Sequence, residues 1–180
     1  MKQKNKILAI IGSTRADSSN LKLVKKLADL ATGIFEFSYF ERIAELPHFN
    51  PDVDKKDPPQ EIAAFRKLVT DADAVIICTP EYVFSLPGSL KNAIEWFVST
   101  TIFSGKPVGL ITAAASGDKA HEELQLVMKT IEAKFSADTT LLIKGIKGKF
   151  DTLGNLIDQV TIDRLQKFIK AFEEQLETDK

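Results

Sequence analysis

The sequence predicts a doubly wound α/β domain, a parallel sheet with helices on both faces. Two observations carry this. Apolar runs and helical patterns alternate five times along the 180 residues, a length that suits one domain with a substantial core. The apolar runs also lack strict polar alternation, which is how strands buried on both faces read.

Taken in order, residues 6–11 form a continuous apolar strand. Residues 20–31 follow as a helix with Leu23, Val24, Leu27 and Leu30 at helical spacing. Residues 34–40 are β-rich, with Phe35, Phe37 and Tyr39 on one face. A polar loop holding Pro47, Pro51 and Pro58 leads to a helix over about 59–72, which Pro59 opens in a turn where a missing N–H costs nothing. Residues 74–78 are the third strand, 87–98 a helix, and 108–113 the fourth strand. The helix expected over 119–135 carries Leu124, Val127, Met128, Ile131 and Phe135 on one stripe. Residues 139–143 make the fifth strand. A last helix over 156–176 shows Leu165, Phe168, Ile169, Phe172 and Leu176 on one face. There is no internal repeat, and the whole of 1–180 reads as one domain.

Right-handed crossovers bring every strand-to-helix loop to one edge of such a sheet. Ligands bind there, where the loops after the first and third strands diverge. The chemistry of those loops is therefore the place to look.

Bulk properties narrow the function. With 24 basic and 25 acidic residues the net charge is −1, so no basic stripe suits a nucleic-acid partner. The apolar run behind the polar segment 1–6 is too short for a secretory leader or a membrane span. The single cysteine, Cys78, rules out an internal disulfide and a Cys-rich zinc site. His48 and His121 lack a ligand cluster, so no metal site is expected. A cytoplasmic location fits best.

After the first strand, Gly12-Ser13-Thr14-Arg15-Ala16-Asp17-Ser18-Ser19-Asn20 packs four hydroxyls, a guanidinium and an amide ahead of a helix. Free N–H groups and the positive dipole end favour an anion there, and Arg15 can pair with two phosphate oxygens in one plane. The plainer reading is that Ser18 or Asp17 caps the helix and Arg15 is solvated. Only one of the three glycines of a dinucleotide fingerprint is present, and the Gly-Lys-Ser/Thr of a nucleoside-triphosphate loop is absent. One phosphate and one arginine suit a mononucleotide, with FMN the natural candidate.

After the third strand comes Thr79-Pro80-Glu81-Tyr82-Val83-Phe84-Ser85-Leu86-Pro87-Gly88. Its prolines stiffen the turn, while Tyr82 and Phe84 offer apolar area beside a flat ring. Lys91 and Glu95 read as a surface pair at i,i+4. Cys78 reads as inert packing. Trp96 and Phe97 read as core or subunit interface, and the apolar surplus of Trp96-Phe97-Val98 and Ile102-Phe103 as a dimer face.

Two motifs together carry a family resemblance: Gly-Ser-Thr-Arg-x-x-Ser-x-Asn after strand 1, and Thr-Pro-Glu-Tyr-x-x-Ser-x-Pro-Gly-x-Leu-Lys-Asn-Ala-Ile-Glu-Trp after strand 3. With the Leu46-Pro47-x-Phe49-x-x-Asp52 segment and the element order, nearly the whole chain resembles the NADPH-dependent FMN reductases, relatives of quinone, chromate and azo-dye reductases. The resemblance implies a flavodoxin-like three-layer sandwich, its five-stranded parallel sheet in the order 2-1-3-4-5. It implies that Ser13, Arg15, Ser18, Ser19 and Asn20 hold the FMN phosphate and nearby ribityl chain. Pro80, Glu81, Tyr82, Val83 and Phe84 would line the isoalloxazine, chiefly through backbone groups, with Ser116 and Gly117 near its pyrimidine end. Family members commonly have Asn where this chain has Val83; a backbone contact would survive that change. No side chain is expected to do the chemistry, which belongs to the flavin.

The expected activity is FMN-dependent, NAD(P)H-driven reduction of quinones, free flavin or similar small acceptors in ping-pong order, by a homodimer or homotetramer. The alternative is a flavodoxin-type electron carrier that docks protein partners without nicotinamide turnover. Arg15 and the near-neutral charge speak against it. A third reading, a non-redox protein that kept the fold and lost the flavin, rests on Val83 alone.

Overall fold

A computed structural model describes residues 4–54 and 58–178; the first three residues of the polar N-terminal segment lie outside them. The elements are β1 (Asn5–Ile11), α1 (Ser19–Leu30), β2 (Phe35–Phe40), α2 (Pro51–Asp54), α3 (Gln60–Asp71), β3 (Ala74–Thr79), α4 (Gly88–Glu95), β4 (Val108–Ala114), α5 (Asp118–Thr130), β5 (Thr140–Lys144) and α6 (Gln159–Thr178). The five strands form one parallel sheet in the order β2-β1-β3-β4-β5, the flavodoxin-like order expected.

The pleat divides the apolar side chains between two cores. Ile7, Ala9 and Ile11 of β1 face α1 and α6, meeting Leu23, Val24 and Leu27 from one and Leu165, Phe168 and Phe172 from the other. Leu8 and Ile10 face Phe65 of α3, Leu90 of α4 and Leu124 of α5. All of β3 and β4 are buried, so those runs show no alternation in the sequence.

Several boundaries differ from expectation. The stripe ending in Phe135 implied a helix through that residue, yet α5 stops at Thr130. Glu132 adopts the left-handed conformation (φ 62). Its N–H and that of Ala133 return to Lys129 O and Met128 O, both at 3.0 Å, the pattern of a Schellman cap. Ile131 and Phe135 still pack against the second core, so the stripe recorded burial beyond the helix. Likewise Leu156 is buried but lies in an isolated bridge with Phe150, and α6 starts only at Gln159. Asp158 caps it, accepting from Thr161 N at 2.9 Å.

The apolar surplus after α4 is core, which corrects the dimer-face reading of that stretch. Trp96, Phe97 and Phe103 are 1–2% exposed and only Val98 projects outward. Phe97 meets Phe65 and Phe103 edge-on. Trp96 Nε1 donates to Pro47 O at 2.9 Å, and Asn92 Nδ2 to the same carbonyl at 3.0 Å. The Pro-rich loop is thereby pinned to α4. Lys91 and Glu95 pair at 2.7 Å as expected.

Candidate functional site

The loops after β1, β3, β4 and β5 meet at the carboxyl edge of the sheet and enclose a cleft of about 390 Å³. Gly12 closes the end of β1 against β3, directly before the lining residue Ser13. Its N–H donates to Cys78 O at 2.8 Å, tying the ends of β1 and β3 together. A Cβ there would lie 2.7 Å from Thr79 Oγ1 and 2.9 Å from Leu90 Cδ2, so no other residue fits without displacement.

Beyond Gly12 the chain opens away from β3 into the hydroxyl-rich loop. Ser13, Arg15, Ser18, Ser19 and Asn20 all line the cleft. Ser18 is buried and caps α1, its Oγ accepting from Leu21 N at 3.4 Å; the capping reading and the cleft-lining reading both hold for this residue. The first N–H groups of the 12-residue α1 have no partner within the helix. The Arg15 guanidinium is exposed and makes no hydrogen bond or salt bridge among the described residues. Asp17 is different: Lys22 Nζ sits 2.5 Å from it, and that hydrogen bond, with the attraction behind it, lowers the carboxyl pKa.

Asn20 is turned into the fold. Its Nδ2 donates to Ala113 O at 3.2 Å and its Oδ1 accepts from Cys78 Sγ at 3.2 Å. It is thus a buried strut joining α1 to β3 and β4 beneath the cleft. Burial also pushes the Cys78 thiol pKa far up, so the residue is inert packing, as expected.

The loop after β3 is a two-residue hairpin turn. Tyr82 N donates to Ser85 O at 3.0 Å and Ser85 N to Tyr82 O at 3.1 Å. Val83 (φ 53) and Phe84 (φ 58) between them are both left-handed. This is the type I′ arrangement, which needs positive φ at both central residues. Two carboxylates fix the turn to α5. Glu81 accepts from Gly117 N at 3.1 Å and Ala120 N at 3.0 Å, where the helix dipole favours a negative charge. Glu123 answers from α5, accepting from Ser85 Oγ at 2.6 Å and Leu86 N at 3.0 Å.

Pro80, Glu81 and Tyr82 line the cleft, whereas Val83 and Phe84 project from its mouth, 95% and 77% exposed. Ser116 and Gly117 also stand off its walls. Ser116 Oγ donates to Asp118 Oδ2 at 2.9 Å, and Gly117 (φ 93) is the left-handed residue preceding α5. Ala113, Ala114 and Ala115 form the wall instead.

The fourth wall, Gly145 to Gly148, was not anticipated. Its signal was present: a lysine between glycines directly after a strand, at the edge where the topology gathers every loop. No group of His, Cys, Asp or Glu among the described residues is arranged to hold a metal ion.

The donor set fits a mononucleotide phosphate. Hydroxyls, a guanidinium and helix N–H groups gather at one side, and an apolar wall of Ala113, Ala114, Pro80 and Tyr82 gathers at the other. A flat ring joined to a phosphate by a short polar chain has this same division.

Comparisons with known proteins agree with one another. The family model for NADPH-dependent FMN reductase matches residues 5–146. A 2-hydroxy-1,4-benzoquinone reductase from a Burkholderia species is 33% identical over 173 residues, covering 93% of each chain. A quinone reductase from Escherichia coli is 30% identical over 181 residues, covering 97% of this chain and 96% of its own. Among solved structures, a flavoenzyme NAD(P)H:(acceptor) oxidoreductase from Paracoccus denitrificans superposes with a TM-score of 0.79 at 29% identity, covering 97% of this chain and 98% of its own.

Proposed function

The chain belongs to the NADPH-dependent FMN reductase family, and from that footing we propose that it is an FMN-dependent NAD(P)H oxidoreductase acting on quinones, free flavin or similar small acceptors. The observation that carries this reading is the cleft at the switch in strand order, with phosphate donors on one wall and an apolar surface on another. Quinone acceptors are supported by the names of the relatives from Burkholderia and Escherichia coli.

In this reading Ser13, Ser18, Ser19 and Arg15 hold the phosphate, Arg15 contributing the planar pair of donors a guanidinium offers. Asn20 supports the loop from below. Pro80, Glu81 and Tyr82 flank the isoalloxazine, and the turn at Val83 and Phe84 borders the side that small molecules approach. Ser116 and Gly117 act through their link to Glu81 and α5. FMN held by these residues would supply the redox chemistry, hydride transfer from NAD(P)H to the acceptor in ping-pong order. The protein's part is to orient the ring and present one face to solvent.

A cytoplasmic location and a homodimeric or homotetrameric state belong to the same proposal. The buried free Cys78 and the relatives' shared chemistry support the first. No helix among the described residues is long and apolar enough to cross a membrane. Exposed Val83 and Phe84, a rigid apolar tip, support self-association. Anaerobic mixing of the FMN-loaded protein with NADPH tests the activity: the flavin absorbance bleaches, and a quinone restores it. A flavin band that NADPH leaves unchanged would sink the reductase and favour the electron carrier.

A further inference from the structure

One cleft residue remains without a role. Lys147 lies on the wall formed by the loop after β5, facing the same cavity as Arg15, and its side chain is exposed. Among the described residues it makes no hydrogen bond or ion pair through its ammonium group. Its neighbours contrast with it. Lys144 pairs with Asp118 at 2.6 Å and Lys149 with Asp158 at 2.9 Å, so the lysines on either side are engaged.

The backbone beneath Lys147 is fixed. Gly145 N donates to Ala115 O at 3.1 Å, Gly148 N to Gly145 O at 3.1 Å, and Ile157 N to Lys149 O at 2.9 Å. Between them Ile146 is buried in the core at 4% exposure. Gly145 is left-handed (φ 64), and a Cβ at Gly145 or Gly148 would meet nothing within 4 Å. The loop is therefore anchored, with open space beside its two glycines.

The cleft lining holds two cations and two carboxylates, and both carboxylates already have partners. Asp17 is matched by Lys22, and the Glu81 carboxylate is directed at the N–H groups of α5. That leaves Arg15, which attracts Asp17 through space but less than Lys22 does, and Lys147 as two cations without an ion pair among the described residues, both lining one cavity. A phosphomonoester carries a charge of about −1.5 to −2 at neutral pH. One guanidinium leaves roughly half of that uncompensated, and a second cation lining the same cleft removes the deficit.

We infer that Lys147 is a second phosphate-binding cation, closing on the FMN 5′-phosphate from the loop after β5. This rests on the reading of the cleft as an FMN site. Lys147 supplies a point charge on a flexible stem, where Arg15 supplies a fixed fork. The hydroxyl loop then sets where the phosphate sits, and Lys147 makes it harder to leave.

Fluorescence titration of FMN and of riboflavin into the flavin-free protein tests this, since riboflavin has the same ring and ribityl chain without the phosphate. Loss of one charge-assisted contact to the phosphate weakens FMN by about tenfold in Lys147→Ala. Riboflavin affinity stays unchanged, and Lys147→Arg restores most of the FMN affinity. The FMN difference also shrinks as salt rises, because the contact is ionic. Lys147 is exposed and its ammonium group makes no hydrogen bond or ion pair among the described residues, so Lys147→Ala keeps the wild-type melting temperature in the absence of flavin. If Lys147→Ala binds FMN as the wild type does, or loses FMN and riboflavin affinity equally, the inference is overturned while the FMN reading stands. If the wild type binds neither flavin, the FMN reading falls and takes the inference with it.

Discussion

At the scale of single residues, Val83 is a β-branched residue held in the left-handed region (φ 53). Left-handed backbone costs an ordinary L-residue roughly 1–2 kcal/mol, and a β-branched side chain makes it worse. At 95% exposure Val83 recovers nothing by burial. The turn needs positive φ there, and Asn supplies it at low cost. Val83→Asn should stabilise the protein by about 1 kcal/mol, read as a higher urea midpoint at constant slope; an unchanged or lower midpoint would show that the strain is absent. The same residue marks a limit of sequence reading. Val83 and Phe84 are expected to border the ring chiefly through backbone groups; their side chains are exposed and their φ angles positive, and no pattern of polarity reveals a φ angle. Asn20 shows the converse: a polar residue in a phosphate-type loop whose side chain serves the packing beneath it.

Among the elements, the strands were legible because burial on both faces writes itself directly into composition. Helix ends were less so, because Phe135 and Leu156 continue an apolar stripe after their helix has stopped or before it has begun. The polar contacts between elements left no trace in periodicity. Arg66 of α3 pairs with Asp54 of α2 at 2.6 Å, and also donates to Trp96 O after α4. The two side chains are 13% and 2% exposed. Removing one partner leaves a buried charge uncompensated, which costs about 3–5 kcal/mol. Arg66→Ala should fall in that range by urea unfolding, and a loss under 1 kcal/mol would mean water reaches Asp54. The α6 cap makes a pH prediction. Hydrogen bonds from Thr161 and Lys149 hold the Asp158 pKa down at about 2, against 3.8 ordinarily. A depressed carboxyl contributes its full stability above the unfolded value and loses it as pH falls through the folded one. Stability should thus drop between about pH 4 and pH 2 by more in the wild type than in Asp158→Asn, which keeps a capping oxygen. Parallel acid-unfolding curves for the two would contradict the assignment.

For the whole molecule, the two-motif pattern and the strand order located the cleft, and the comparisons confirmed the family. What remained hidden was the fourth wall, because Lys147 lies 132 residues from Arg15 and meets the same cavity only after five strands are ordered. That assembly has a thermodynamic consequence. All four walls come from different strand ends, so the unfolded chain has no flavin site, and FMN acts as a ligand of the native state alone. Such a ligand stabilises by about 2.7 kcal/mol at a hundred times its Kd. For a chain of 180 residues each kcal/mol raises the melting temperature by roughly 2–4 °C. Saturating FMN should therefore raise Tm by about 5–10 °C in a calorimetric scan, and the shift should keep growing with the logarithm of FMN concentration above saturation. A shift that stops at one equivalent would mean that the cofactor also binds the unfolded chain, or that the cleft persists after the melting event. Either result would break the link between sheet topology and the site.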